Sequence, residues 1–158
     1  MMTRSGGCLC GAVRYEIRGK PRIAVTCHCR DCQYISGGGP TPALVVRRED
    51  LAVLQGATRA YWTVAESGTR VAREFCAACG TPLFARNERS ANLVAVKVGS
   101  LDDGGSDFRP QLQLWTGSAP PWHKLDRAVP RFRGNPKVSF DALFELVRVG
   151  VLRFSRMF

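Results

Sequence analysis

Seven cysteines fall in three short groups along the 158-residue chain: Cys8-x-Cys10, Cys27-x-Cys29-x-x-Cys32 and Cys76-x-x-Cys79. Thiolates at such spacing suit zinc, which takes sulfur ligands at about 2.3 Å in a tetrahedron. In a strand, residues two apart share a face, so Cys8 and Cys10 converge, as do Cys27 and Cys29. A tight turn then returns Cys32 to the second pair. Cys76-Ala77-Ala78-Cys79-Gly80 reads as a zinc knuckle, with Gly80 easing the backbone around the metal. An odd cysteine count excludes a complete set of intramolecular disulfides. In a reducing compartment clustered thiols more often hold metal.

Four plus three is the most economical division of the seven, with two Zn²⁺ per chain. Cys8, Cys10, Cys76 and Cys79 would close a structural site, joining the start of the chain to its middle. Metal binding there would contribute on the order of 10 kcal/mol to folding. Cys27, Cys29 and Cys32 would form a three-thiolate site with one open position, the pattern of catalytic zinc. Two alternatives stay open: His28 or His123 supplies a fourth ligand, or single cysteines pack as small hydrophobes.

The elements that must carry these residues are mainly short strands. Residues 12–18 alternate with period two, and similar runs cover 23–28, 43–47, 59–64, 71–75, 93–98 and 111–115, with glycine- and proline-rich turns between them. This predicts a mainly β, antiparallel body, with one helical turn at 31–36 inside the central cysteine cluster. At the end of the chain Phe140, Leu143, Phe144, Val147, Val151, Phe154 and Phe158 recur at steps of three and four. They predict an amphipathic helix over 139–157, capped by Ser139 and docking on the β body or on a homodimer mate. The expected domains are residues 1–136, a zinc-binding β domain, and 137–158, a C-terminal helical extension.

Composition sets the remaining bounds. With 45% hydrophobic residues and 23% charged, the chain has an ordinary globular balance. The first seven residues lack the apolar core of a secretory signal, and no run of about 18 apolar residues exists, so a cytoplasmic protein without membrane insertion is expected. The formal charge is +10, half of it in residues 121–158. No basic stripe interleaved with aromatics accompanies it, so a nucleic-acid platform is not expected and a solvated basic surface is.

Longer stretches around the cysteines carry a resemblance. Cys8-Leu9-Cys10-Gly11-Ala12-Val13, Cys27-His28-Cys29-Arg30-Asp31-Cys32 and Phe75 to Phe84 resemble the glutathione-dependent formaldehyde-activating enzyme family, which includes the centromere protein V type of domain. Further matches are Ser36-Gly37, Gly99 to Asp103, and Trp115 followed by Pro121-Trp122. The resemblance implies a β-tent fold of zinc-bound antiparallel sheets. It assigns structural zinc to the outer cysteine pairs and catalytic zinc to Cys27, Cys29 and Cys32. The implied activity is a carbon–sulfur lyase reaction: glutathione's thiol adds to formaldehyde or a related small aldehyde, giving S-hydroxymethylglutathione, and the reverse. Arg30, Arg47 or Arg48 would steer the anionic thiol. Where the family often has a histidine this chain has Gln113, which hydrogen-bonds but does not titrate near neutrality. The alternatives are a non-catalytic zinc-stabilised binding module and a family member with another substrate.

Overall fold

The computed structural model describes residues 2–138 and 140–150. In chain order the elements are β1 (Thr3–Gly7), β2 (Arg14–Arg18), β3 (Ile23–Cys27), α1 (Arg30–Ser36), β4 (Thr41–Arg47), β5 (Leu51–Gln55), β6 (Thr58–Val64), β7 (Arg70–Cys76), β8 (Pro82–Asn87), β9 (Leu93–Lys97), β10 (Leu112–Leu114) and α2 (Phe140–Arg148). The protein is thus mainly β, with two α-helices among the described residues. None of the described helices is long and apolar enough to cross a membrane.

By internal contact the chain forms two compact units. The first comprises Met1–Arg22 and Ala43–Phe108. Within it β1, β2 and β5 form an antiparallel sheet, and β4, β9, β8, β7 and β6 follow one another in an antiparallel run. Alternation does its expected work in β2, where Tyr15 and Ile17 are buried while Arg14, Glu16 and Arg18 are not. Tyr15 meets Phe84 edge-on, ring centroids 5.0 Å apart, and its hydroxyl bonds Ser100 Oγ at 2.7 Å. β1 was not expected, because Thr-Arg-Ser-Gly-Gly has little strand propensity. Its reason is tertiary: a Cβ on Gly6 would lie 2.4 Å from the Tyr15 ring, so only glycine lets β1 pair there.

The second unit comprises Ile23–Pro42 and the chain from Arg109 onward. Here β10 pairs with β3 in parallel, Leu112 beside Val25 and Leu114 beside Cys27, so a parallel pair accompanies the expected antiparallel ones. All three β10 side chains are buried, so period-two alternation could not reveal this strand's setting. α1 begins at Cys29, whose backbone is extended, and ends at Gly37 in the left-handed region. α2 is shorter than the expected 139–157. Its last turn closes with Val149 N–H on the Glu145 carbonyl at 2.9 Å, and Gly150, at φ 72°, turns the chain out of the helix. Ser139, the proposed cap, and Val151, Phe154 and Phe158 of the apolar stripe lie outside the described residues. Leu143 and Phe144 of that stripe are buried.

Candidate metal centres

Cys8, Cys10, Cys76 and Cys79, all in the first unit, bring their sulfurs within 4.8 Å of one another. Cys8 and Cys10 reach this set from the turn after β1, not from a strand, which corrects the strand-face reading of that pair. Gly11 N–H bonds the Cys8 carbonyl at 3.0 Å and Gly80 N–H bonds that of Cys76 at 2.9 Å. Both glycines sit at positive φ, so each pair wraps its sulfurs in a knuckle. Four ligands at about 2.3 Å from a tetrahedral centre stand about 3.8 Å apart. The Cys8–Cys10 and Cys10–Cys76 sulfurs are 3.5 and 3.8 Å apart. Backbone N–H groups aim at the sulfurs as well, Val13 N–H to Cys8 at 3.2 Å. The Thr81 hydroxyl contacts the Cys79 sulfur at 3.1 Å. That hydroxyl, then the backbone N–H of Thr81, draws Cys79 down to about 5. The Ala12 N–H draws Cys10 down as well, but crowding by Cys79 and Cys8 pushes it up to about 11. Spacing and donor chemistry both fit a thiophilic dication.

Cys27, Cys29 and Cys32, in the second unit, likewise lie within 4.8 Å of one another through sulfur. Cys27 ends β3, Cys29 caps α1 and Cys32 falls in its first turn. The strand-to-helix corner thereby converts the C-x-C-x-x-C spacing into one cluster. Cys29 and then Cys32, followed by burial, push Cys27 well above its ordinary thiol value. Three thiols this close do not ionise together unaided, and a bound dication removes the repulsion, so this set also fits a metal.

Among the described residues no histidine or carboxylate joins the three sulfurs in that set. His28 is instead fully buried, its ring 5.0 Å from that of His123, and neither of its nitrogens has a hydrogen-bond partner among the described residues. Burial, then the neighbouring His123, lowers its pKa below the ordinary imidazole value. Gln113 is buried and engaged with main chain: Nε2 donates to the Asp126 carbonyl at 2.6 Å and Oε1 accepts from Asp126 N–H at 3.3 Å. Arg30 stacks over Tyr34 at 5.2 Å, whereas Arg47 pairs with Glu49 at 3.2 Å. Gln33, unnoticed in the sequence, is buried beside Cys32 and bonds the His28 carbonyl at 2.7 Å. Nothing in a lone helical glutamine could have signalled this.

Fold and sites together define a cysteine-rich β protein with two thiol clusters able to hold metal ions. The chain matches the model of the family described as "Glutathione-dependent formaldehyde-activating enzyme" over residues 3–118, and it belongs to that family. A relative from Halomonas elongata, named "Putative glutathione-dependent formaldehyde-activating enzyme", is 26% identical over 129 residues, covering 79% of this chain and 82% of the relative. The crystal structure of a Rhodobacter sphaeroides protein superposes with a TM-score of 0.51 at 25% identity, covering 62% of this chain and 87% of that one.

Proposed function

We propose that this protein is a zinc-dependent carbon–sulfur lyase-type enzyme that adds the thiol of glutathione to formaldehyde, or to a related small aldehyde, and reverses that addition. The observation carrying the reading is the contrast between the two clusters. Four sulfurs gather within 4.8 Å of one another, the number that a closed tetrahedral site takes, whereas Cys27, Cys29 and Cys32 stand without a fourth His, Cys, Asp or Glu donor among the described residues. Cys8, Cys10, Cys76 and Cys79 would hold structural zinc; Cys27, Cys29 and Cys32 would hold the catalytic ion. Bound there, zinc supplies a Lewis-acid position for a thiol sulfur or an aldehyde oxygen.

The residues themselves set what that position prefers. Three thiolates exceed a dication's charge by one, which favours soft sulfur over oxygen as the incoming ligand. In the reaction the thiol sulfur forms a bond to the carbonyl carbon, the C=O π pair moves to oxygen, and the thiol's proton ends on that oxygen. Nothing is oxidised. The exposed Arg30 guanidinium, held over Tyr34 at the start of α1, offers a cation to glutathione's carboxylates. Residues 1–136 serve as the family-type domain in the cytoplasm, and 137–158 as an extension. The burial of Leu143 and Phe144 within a single chain supports docking of α2 on its own protein over a helix-mediated dimer.

One observation favours a second reading, a family member with another thiol or aldehyde. Gln113 spends its amide on the 126–129 main chain, so it offers the reaction no proton carrier at that place. A single experiment separates the readings: zinc per chain by elemental analysis, and exchange of formaldehyde with glutathione by NMR, for wild type and Cys29→Ser. The expected result is two zinc ions and accelerated exchange in wild type, with the acceleration lost in the variant. Two zinc ions without acceleration for glutathione, but with acceleration for another small thiol, would establish the second reading. No acceleration with any thiol or aldehyde would leave only a binding module.

A further inference from the structure

Gln33 is 2% exposed although it is polar and lies on a seven-residue helix. Its Nε2 donates to two main-chain carbonyls, His28 and Ser118, each at 2.7 Å, and its Oε1 accepts from Arg30 Nη1. The amide orientation is forced, because carbonyls only accept and guanidinium only donates. A primary amide is the one uncharged side chain of this length with two donors on a single atom, and here it meets two acceptors.

We propose that Gln33 is a positioning residue for the three-cysteine site, an inference that rests on the metal reading above. His28 lies between Cys27 and Cys29, so pinning its carbonyl fixes the peptide units that carry both sulfurs. Gln33 also follows Cys32 directly, and its backbone N–H donates to the Cys29 carbonyl at 3.1 Å. One residue therefore touches the frame of all three cysteines. Its second donor reaches a turn with its own constraint. Trp115, just before that turn, is the one non-glycine residue with positive φ among the described residues, at φ 58° and ψ 39°. That left-handed conformation is unfavourable for an L-residue and persists only where its surroundings hold it. Thr116 N–H on the Phe132 carbonyl at 2.9 Å and Gly117 N–H on that of Arg133 at 3.0 Å hold it on one side. Gln33 holds it on the other, so the cysteine loop is tied to a turn that cannot easily yield. Hydrogen bonds that orient metal-bearing groups typically change metal affinity by about 10–100-fold.

The test uses the zinc-loaded full chain and follows zinc release to a chromogenic chelator. Wild type should release two equivalents in two phases, and Cys29→Ser identifies the three-cysteine phase as the one it abolishes. Gln33→Met keeps the length and bulk of the side chain without its donors. It should accelerate that phase about tenfold or more and leave the four-cysteine phase unchanged. Gln33→Asn, whose amide falls one methylene short, should accelerate it to a lesser degree, and it serves if the methionine variant does not fold. An unchanged three-cysteine phase in both variants would overturn the inference, as would equal acceleration of both phases, which marks a residue that only stabilises the fold. A wild type that releases a single equivalent would overturn the site itself before any Gln33 variant is measured, and the inference with it.

Discussion

The Thr81 hydroxyl accepts from Leu9 N–H at 3.1 Å, which leaves its own hydrogen for the Cys79 sulfur. A donor favours the thiolate, and Cys79 accordingly falls from the ordinary 9.0 to about 5. A depressed thiol contributes its stabilisation fully above its ordinary value, and the contribution fades as pH falls toward about 5. With zinc bound as proposed, protons would compete with it for Cys79 in that acid range. Thr81→Ala removes the donor and raises this pKa, so acid should release zinc from the four-cysteine set at a higher pH than in wild type. The three-cysteine set is the internal control, unchanged in the same titration of released zinc against pH. Leu9 and Thr81 are 72 positions apart, so no local pattern marks this contact. The cysteine motifs, by contrast, were plain in the sequence, because ligation requires particular side chains at short spacing.

Elements with a clear period were legible, and the exceptions have physical causes. Residues 12–18 alternate and form β2, but β5 and β8 carry no such pattern. β8 opens at Pro82 directly behind a cysteine knuckle and reads as loop, and β5 buries little of its surface to either side. The parallel neighbour relation of β10 and β3 depends on which strands the connections bring together, and hydrophobic pattern carries no such information. For α2 the apolar stripe located the helix, yet Gly150 ended it where the stripe alone would have continued. Leu143 is 0% exposed, so Leu143→Ala should cost about 3 kcal/mol, seen as a lower urea midpoint at an unchanged slope. A loss under about 0.5 kcal/mol would mean that the helix does not dock.

For the molecule as a whole the two clusters should divide the labour of stability and chemistry. A four-thiolate zinc site is worth on the order of 10 kcal/mol, comparable with the 5–15 kcal/mol that holds a typical domain together. Cys76→Ser should therefore lower the melting temperature by more than about 15 °C or unfold the chain, whereas Cys29→Ser should stay within about 5 °C of wild type by circular dichroism. Equal losses would make both clusters structural. The sequence by itself determined the donor chemistry: seven thiols in three groups, an odd count and a knuckle glycine, all of them properties of residue type and neighbour spacing. The tertiary structure decided which groups meet, because Cys10 and Cys76 stand 66 positions apart and only the fold closes such a gap. It also decided that His28 turns to His123, that Gln113 binds main chain, and that Gln33 ties the central cysteines to the Trp115 turn. Each of these depends on burial and on distant partners, and a polar side chain shows neither until the chain is folded around it.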